Sequence, residues 1–298
     1  MRVARAAVAT HPGRKRRHNE DAYVCDPPLF AIADGMGGAR AGEVASGLAA
    51  AALQANDVNG SGPERVVALM QAANRSVYER SSSDADVAGM GTTMTVALVE
   101  NGGVVFGHVG DSRAYVLRDG ELEQLTDDHS LVAELVRGGK LSAEEAVHHP
   151  QRSVITRALG TDPDVDVDTF IVEGREGDVF VLCSDGLTDM VADDEIGEVL
   201  EEQRDSLDEA ANELVRRANR NGGQDNITVV AFELTEMPAE PDERTLEQTV
   251  EQTQTMEQPA AVPEQPKSPS SRRRFLPLIL LLLGIVAAAA ILWVLVQR

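Results

Sequence analysis

Apolar and polar positions along the 298-residue chain follow three successive regimes. Through residues 1–235, short apolar runs alternate with Gly, Asn and Asp turn signals, the pattern of a globular domain. Runs at 29–33, 93–99, 104–109, 114–117, 179–183 and 227–232 predict strands. Residues 42–54 and 207–218 predict helices; in the second, Leu207, Ala211, Leu214, Val215 and Ala218 fall on one face. The turn Arg118-Asp119-Gly120 joins the run 114–117 to 121–125, a hairpin signal. Strands arriving in hairpin-like series favour antiparallel sheets over a doubly wound parallel sheet.

From 236 to 271 the pattern collapses into Pro, Glu, Gln and Thr with almost no large apolar side chain. Such a segment cannot bury enough surface to offset its ordering entropy, so it reads as a disordered acidic linker. Its coil dimensions are on the order of 35 Å. Residues 272–298 then open with Arg272, Arg273 and Arg274 and continue as an uncharged apolar run over 275–296. As a helix this run reaches about 33 Å against a hydrocarbon core of about 30 Å, which predicts a transmembrane helix. Pro277 lies in its first turn and Trp293 near its far end. The positive-inside rule keeps the arginine side cytoplasmic. The expected placement is therefore a single-pass protein of the cytoplasmic (inner) membrane, with the large domain in the cytoplasm.

Charge sharpens the picture. The chain carries 27 basic and 49 acidic residues, a net charge of −22. So acidic a surface repels phosphate backbones and argues against nucleic acid as a partner. Aromatics make up only 3%, so the core must be built from small and aliphatic side chains. Two cysteines, Cys25 and Cys183, supply neither a disulfide framework nor a four-thiolate zinc site, and both read as small buried strand residues.

The candidate chemistry lies in carboxylates. The runs LFAIADG, VFGHVGD and FVLCSDG end at Asp34, Asp111 and Asp185. Asp225 precedes the run at 227–232, and Glu20-Asp21 stands in HNEDAYV. An Asp-Gly after a strand is by itself only a turn signal. Several carboxylates at strand ends can converge from distant parts of the chain, and converging they would repel one another without a cation. A hard divalent ion such as Mg²⁺ or Mn²⁺ is the natural counter-charge.

These residues sit in motifs that follow a known order: RRHNED from Arg16 to Asp21, ADGMGG from Ala33 followed by AGEVAS, GMGTT from Gly89, GHVGDSRAY from Gly107, HPQRSVITRALG from His149, LCSDGLTD from Leu182 and GGQDNITVV from Gly222. Over residues 5–234 the chain resembles the type 2C metal-dependent Ser/Thr protein phosphatases, the PPM family, in particular its bacterial members. The resemblance implies an α+β fold of two packed antiparallel β-sheets flanked by α-helices on both faces. It implies two Mn²⁺ or Mg²⁺ ions, with a weaker third. Asp34 matches the carboxylate bridging the two ions; Glu20 and the Gly35 carbonyl match ligands of the second, with Asp21 orienting that site. Asp185 and Asp225 match ligands of the first ion, and Asp111 with Asp185 the third site. Arg16 matches the arginine that holds the substrate phosphate, with Lys15 and Arg17 one position away. Thr93 and Asn226 match supports of the metal loops.

The implied reaction is in-line attack on a phosphoserine or phosphothreonine by a hydroxide bridging two ions. Many eukaryotic relatives carry a histidine after the Asp-Gly pair; here that position is Met36. His148 and His149, in a segment 137–160 that matches the mobile flap of bacterial members, read as surface-loop histidines, and so do His108 and His129. Expected partners are phosphorylated proteins, among them membrane Ser/Thr kinases that the tether would reach. Thr245, Thr249, Thr253 and Thr255 of the linker offer sites for a phosphothreonine reader, although an inert tether is the preferred reading. The contrasting class is a catalytically silent, membrane-tethered phosphoprotein-binding module.

Overall fold

Strand β10 (Val179–Cys183) is buried along its whole length, and it is the centre of one of two sheets. Its neighbours are β11 (Ile227–Thr235) and β7 (Arg113–Arg118), with β1 (Arg2–His11) beyond β11 and β8 (Glu121–Gln124) beyond β7. The second sheet runs β2 (Asp21–Asp26), β3 (Leu29–Met36), β5 (Met94–Glu100), β6 (Gly103–Val109), β9 (Asp168–Glu173), with the short β4 (Gly91–Thr92) on β3. Every pairing is antiparallel, as the hairpin pattern predicts. This structure, a computed structural model, describes residues 1–55 and 60–236. The linker beyond 236 and the apolar run 275–296 lie outside the described residues. No helix among those described is long and apolar enough to cross a membrane.

Period-two alternation divides the strands between layers. On β10, Phe180 and Leu182 face the other sheet, whereas Val179, Val181 and Cys183 face helices. On β3, Phe30 and Ile32 point between the sheets, and Ala31 and Ala33 point towards α1 (Ala39–Ala55) and α2 (Gly62–Ser83). Helices α6 (Asp193–Glu202) and α7 (Leu207–Arg220) cover the outer face of the first sheet. The result is the expected sandwich of helices, two antiparallel sheets and helices.

The scarce aromatics are concentrated at the sheet–sheet interface. Phe30 stacks on Phe232 at 4.1 Å, Phe232 on Phe180 at 5.2 Å, Phe180 packs against Phe106 at 5.9 Å, and Phe106 stacks on Phe170 at 5.1 Å. Five of the six phenylalanines thus form one ladder holding the sheets together. The helix–sheet layers rely on small and aliphatic contacts instead.

Several elements exceed the apolar pattern. Strand β3 continues past Ala33 to Met36, so Asp34 and Gly35 belong to the strand rather than to a turn that ends it. Helix α2 buries Val66, Leu69, Met70, Ala73 and Val77 at helical spacing, yet its interleaved Glu, Arg and Asn mask the stripe. Strand β1 buries only Ala7 and Ala9, while Ala6 and Val8 beside them stay half-buried. Cys183 is buried as expected, but Cys25, on edge strand β2, is only half-buried.

Candidate metal centre

The site forms where β3 meets β2 and where the first sheet's strands end against them. Register places Asp21 directly opposite Asp34. Asp185 opens α5 (Asp185–Thr188) two residues past β10, Asp111 lies two residues past β6, and Asp225 lies two residues before β11. Strand ends from both sheets therefore deliver all five aspartates to one locus, and Glu20 immediately precedes β2.

Their electrostatic state shows how close they are. Burial, reinforced by the charges of Asp21, Asp185, Asp111 and Asp225, holds the Asp34 carboxyl well above the usual carboxylate range. Burial together with Asp111, Asp225 and Asp189 does the same to Asp185. Burial raises Asp21 to about 6 despite hydrogen bonds that favour its ionised form, and burial with the Asp128 charge raises Asp111 to about 6. Glu20 is also raised by burial, against the pull of Arg16. Two carboxylate oxygens, Asp21 Oδ1 and Asp185 Oδ1, are buried without a hydrogen-bond partner. Mutual repulsion and orphaned buried oxygens both favour a cation at this position.

Glycines make room for it. A Cβ on Gly42 would lie 2.1 Å from Glu20 Oε2 and 2.7 Å from the Gly35 carbonyl oxygen. The missing side chain therefore lets a carboxylate and a carbonyl approach one spot, an oxygen pair suited to a hard cation. No three His, Cys, Asp or Glu side chains among the described residues close into a metal cage by themselves.

Supporting hydrogen bonds fix the ligand backbone. The Asp34 N–H donates to Thr93 Oγ1 at 2.9 Å, the Thr93 N–H donates back to the Asp34 carbonyl at 2.9 Å, and Thr92 Oγ1 donates to that carbonyl at 2.8 Å. The buried Asn226 accepts from the Glu20 N–H at 2.7 Å and donates to the carbonyls of Pro12 at 3.1 Å and His18 at 2.9 Å. One asparagine thus ties the β1–β2 loop to the β11 entry. Ser184 and Thr228 donate to Asp21 Oδ2 at 2.9 and 2.6 Å, which leaves Oδ1 as its free oxygen. The supporting roles expected of Thr93 and Asn226 agree with these bonds.

Arg16 donates to Asp225 Oδ2 at 2.6 Å and lies 3.8 Å from Glu20 Oε1, with 47% of its side chain exposed. Neither Lys15 nor Arg17 makes such a contact among the described residues, so Arg16 alone of the three engages the carboxylates. It stands at the rim with one face open to solvent.

Other histidine expectations need correction. His108 and His129 are buried, 1% and 3% exposed, with rings 4.7 Å apart. Burial drives His108 down to about 4, so it is neutral. His129 Nδ1 accepts from the Gly110 N–H at 3.0 Å and its Nε2 donates to Asp168 at 3.0 Å, which fixes its tautomer and anchors the residue before Asp111. His148 is exposed and His149 half-buried. Neither lines the cavity of about 460 Å³ that opens beside Asp111, Asp185 and Asp189. Asp189 itself, 3.3 Å from Arg152, was not a candidate; its only sequence signal is its place at the end of LCSDGLTD.

Comparison with known proteins agrees with this geometry. The family model for protein phosphatase 2C matches residues 14–229. Serine/threonine phosphatase stp of Listeria monocytogenes is 41% identical over 244 residues, spanning 76% of this chain and 95% of the relative. The crystal structure of the Mycobacterium tuberculosis serine/threonine phosphatase PstP/Ppp superposes with a TM-score of 0.74 at 41% identity, covering 79% of this chain and 100% of that one. A PstP catalytic domain solved with two manganese ions gives 0.73 at 39% identity, covering 79% of this chain and 100% of its own. The chain belongs to the protein phosphatase 2C family of metal-dependent serine/threonine phosphatases.

Proposed function

We propose that this phosphatase hydrolyses phosphoserine and phosphothreonine in proteins with Arg16 as the phosphate anchor and the Asp34–Asp185 cluster as the cation site. The observation that carries it is the convergence of five raised or orphaned carboxylates beside one half-exposed arginine. Asp34 would be shared by two cations, with Asp185 and Asp225 on one side and Glu20 and the Gly35 carbonyl on the other. Asp21 orients the second side from its hydroxyl-held position, and Asp111 with Asp185 offers a third, weaker site. Mn²⁺ or Mg²⁺ bound there makes water nucleophilic at neutral pH and supplies charge facing the phosphoryl oxygens. The Arg16 fork pairs with those oxygens and holds the phosphorus in line for attack. Thr93 and Asn226 keep the carboxylates from spreading as charge changes. Met36 offers no proton, and neither His148 nor His149 lines the adjoining cavity.

The wider setting belongs to the same proposal. The apolar run 275–296 supports a membrane anchor with the catalytic domain on the cytoplasmic side, and the linker 236–271 supports reach towards neighbouring membrane Ser/Thr kinases. The linker is read as an inert tether, with a phosphothreonine reader at Thr245, Thr249, Thr253 and Thr255 as the lesser alternative.

The test is Mn²⁺-dependent turnover of a phosphothreonine peptide by the full chain and by Asp185→Asn. The variant should lose more than about 100-fold in kcat. Undiminished turnover in the variant would remove Asp185 from the cation site, whereas no turnover in either protein would favour the silent binding module. Retention of the full chain in the membrane fraction, lost on deleting 275–296, tests the anchor.

A further inference from the structure

An open groove of about 610 Å³, which no metal ligand enters, borders the loop that carries Arg16. It is lined by His11 and Arg14 on one wall and by Asn212, Arg216, Asn219 and Arg220 of α7 on the other. Residues 1–235 hold 21 basic and 41 acidic residues, so a cationic surface here runs against the charge of the domain. Most of the domain's arginines face carboxylate partners. Arg14, Lys15 and Arg17 have none among the described residues, and all three are exposed.

On the opposite wall, three arginines share one carboxylate. Arg216, Arg217 and Arg220 lie 2.9, 3.4 and 2.7 Å from Glu213. Arg216 and Arg217 also reach Glu209 and Glu202, but only at 3.8 and 3.7 Å. Glu213 is driven down to about 2 by its arginines, so it stays ionised, and of the three arginines Arg216 and Arg220 line the groove, where no carboxylate does.

The groove is fixed relative to the site. The Arg14 and Lys15 N–H groups donate to the Gly223 carbonyl at 2.8 and 3.2 Å, two residues before Asp225. Arg16, in the same loop, holds Asp225. The cations therefore radiate from one stapled loop, with Arg16 turned into the centre and Arg14 into the groove.

We propose that this groove is a second anion subsite, which binds a phosphate or acidic side chain flanking the phosphoresidue being hydrolysed. The proposal rests on Arg16 as the phosphate anchor. Arg14 and Arg16 are two residues apart, within about 7 Å along the backbone. A peptide advances about 3.3 Å per residue when extended, so the second anion should sit roughly two to four residues from the scissile one. The groove would also offset the repulsion between an acidic enzyme and an anionic substrate.

Full-length protein is assayed with three phosphothreonine peptides that are identical except at positions two to four residues to either side. One carries neutral flanks, one glutamates and one a second phosphothreonine. The expected kcat/KM rises about threefold with glutamate and about tenfold with phosphate, through KM, and the gain shrinks with added salt. An Arg14→Gln/Arg220→Gln variant should lose the preference while turning over p-nitrophenyl phosphate and the neutral peptide at wild-type rates. Equal kcat/KM for all three peptides, or a preference that survives the double replacement, overturns the subsite. Failure of wild-type protein to turn over p-nitrophenyl phosphate would instead strike the parent reading.

Discussion

Asp185 and the segment carrying α3 (Leu131–Arg137) and α4 (Ala143–Val147) line the same cavity, but they are held in different ways. Asp185 follows a strand with all five residues buried, and its neighbours Ser184 and Leu187 are buried too. Helices α3 and α4 bury no residue, and they leave Val147 61% and Val154 44% exposed. Their ties to the rest are few: the Thr156 N–H to the His129 carbonyl, the Arg137 guanidinium to the Asp128 carbonyl, and the ion pair Arg152–Asp189. The contrast separates two tasks. Chemistry needs carboxylates fixed to a fraction of an ångström, which strand ends provide. A wall that meets varied protein substrates needs low local stability, which short surface helices with local caps provide.

The sharpest way to break this comparison is Gly42→Ala. In the first turn of α1, alanine favours the helix by up to about 1 kcal/mol over glycine. At this position, however, its Cβ would press on Glu20 Oε2 and the Gly35 carbonyl. The thermal midpoint should hold or fall slightly, while Mn²⁺ affinity and turnover fall by about 10- to 100-fold or more. Calorimetry of Mn²⁺ binding beside a melting curve separates the two effects. Retained affinity would mean that the centre is as adaptable as the wall formed by α3 and α4.

Gly42 also marks the limit of what the sequence discloses. The carboxylates were legible because each terminates or precedes an apolar run, and Asp34, Asp111, Asp185 and Asp225 all reach one locus. The antiparallel sheets were legible because β5, β6, β7, β10 and β11 carry long apolar stretches. Helix α2 and strand β1 were not, because their buried faces are partly Ala and Asn and their charges interrupt the period. His108 and His129 read as surface residues because a histidine does not announce its own burial, even though His108 lies in the apolar run 104–109. Gly42 lies in the motif AGEVAS, but what demands glycine there is Glu20, 22 positions away, whose Oε2 occupies the space a Cβ would need, and no local pattern encodes that.

A smaller effect concerns charge in the rigid region alone. Burial pushes Asp21 and Asp111 up to about 6 and holds Asp34 and Asp185 well above the usual carboxylate range, against about 4 for an unfolded aspartate. A carboxyl whose folded pKa is raised takes up a proton more readily when folded, so stability is gained as pH falls through the folded value. Metal-free protein should therefore melt at higher temperature at pH of about 5.5 than at about 7.5. Saturating Mn²⁺ should remove that trend and stabilise the neutral protein by about 2.7 kcal/mol at one hundred times its dissociation constant. A midpoint that falls steadily with acid in the metal-free protein would mean the carboxylates are not mutually strained.

The smallest effect comes from the loosely held wall. Val147 is the exposed end of α4 and lines the cavity beside Asp185. Replacing it by serine removes no buried contact, so stability should change by no more than about 0.5 kcal/mol. Turnover of p-nitrophenyl phosphate, which touches only the centre, should be unchanged. A phosphopeptide with a leucine near its phosphothreonine would lose one apolar contact of roughly 1 kcal/mol, and so should show a KM about fivefold higher. The pairing of an unmoved melting curve with a substrate-dependent KM is what a scaffold-independent wall requires. A clear loss of stability in Val147→Ser would place α4 in the packed structure, and the division between fixed chemistry and adaptable contact would then have to be drawn elsewhere.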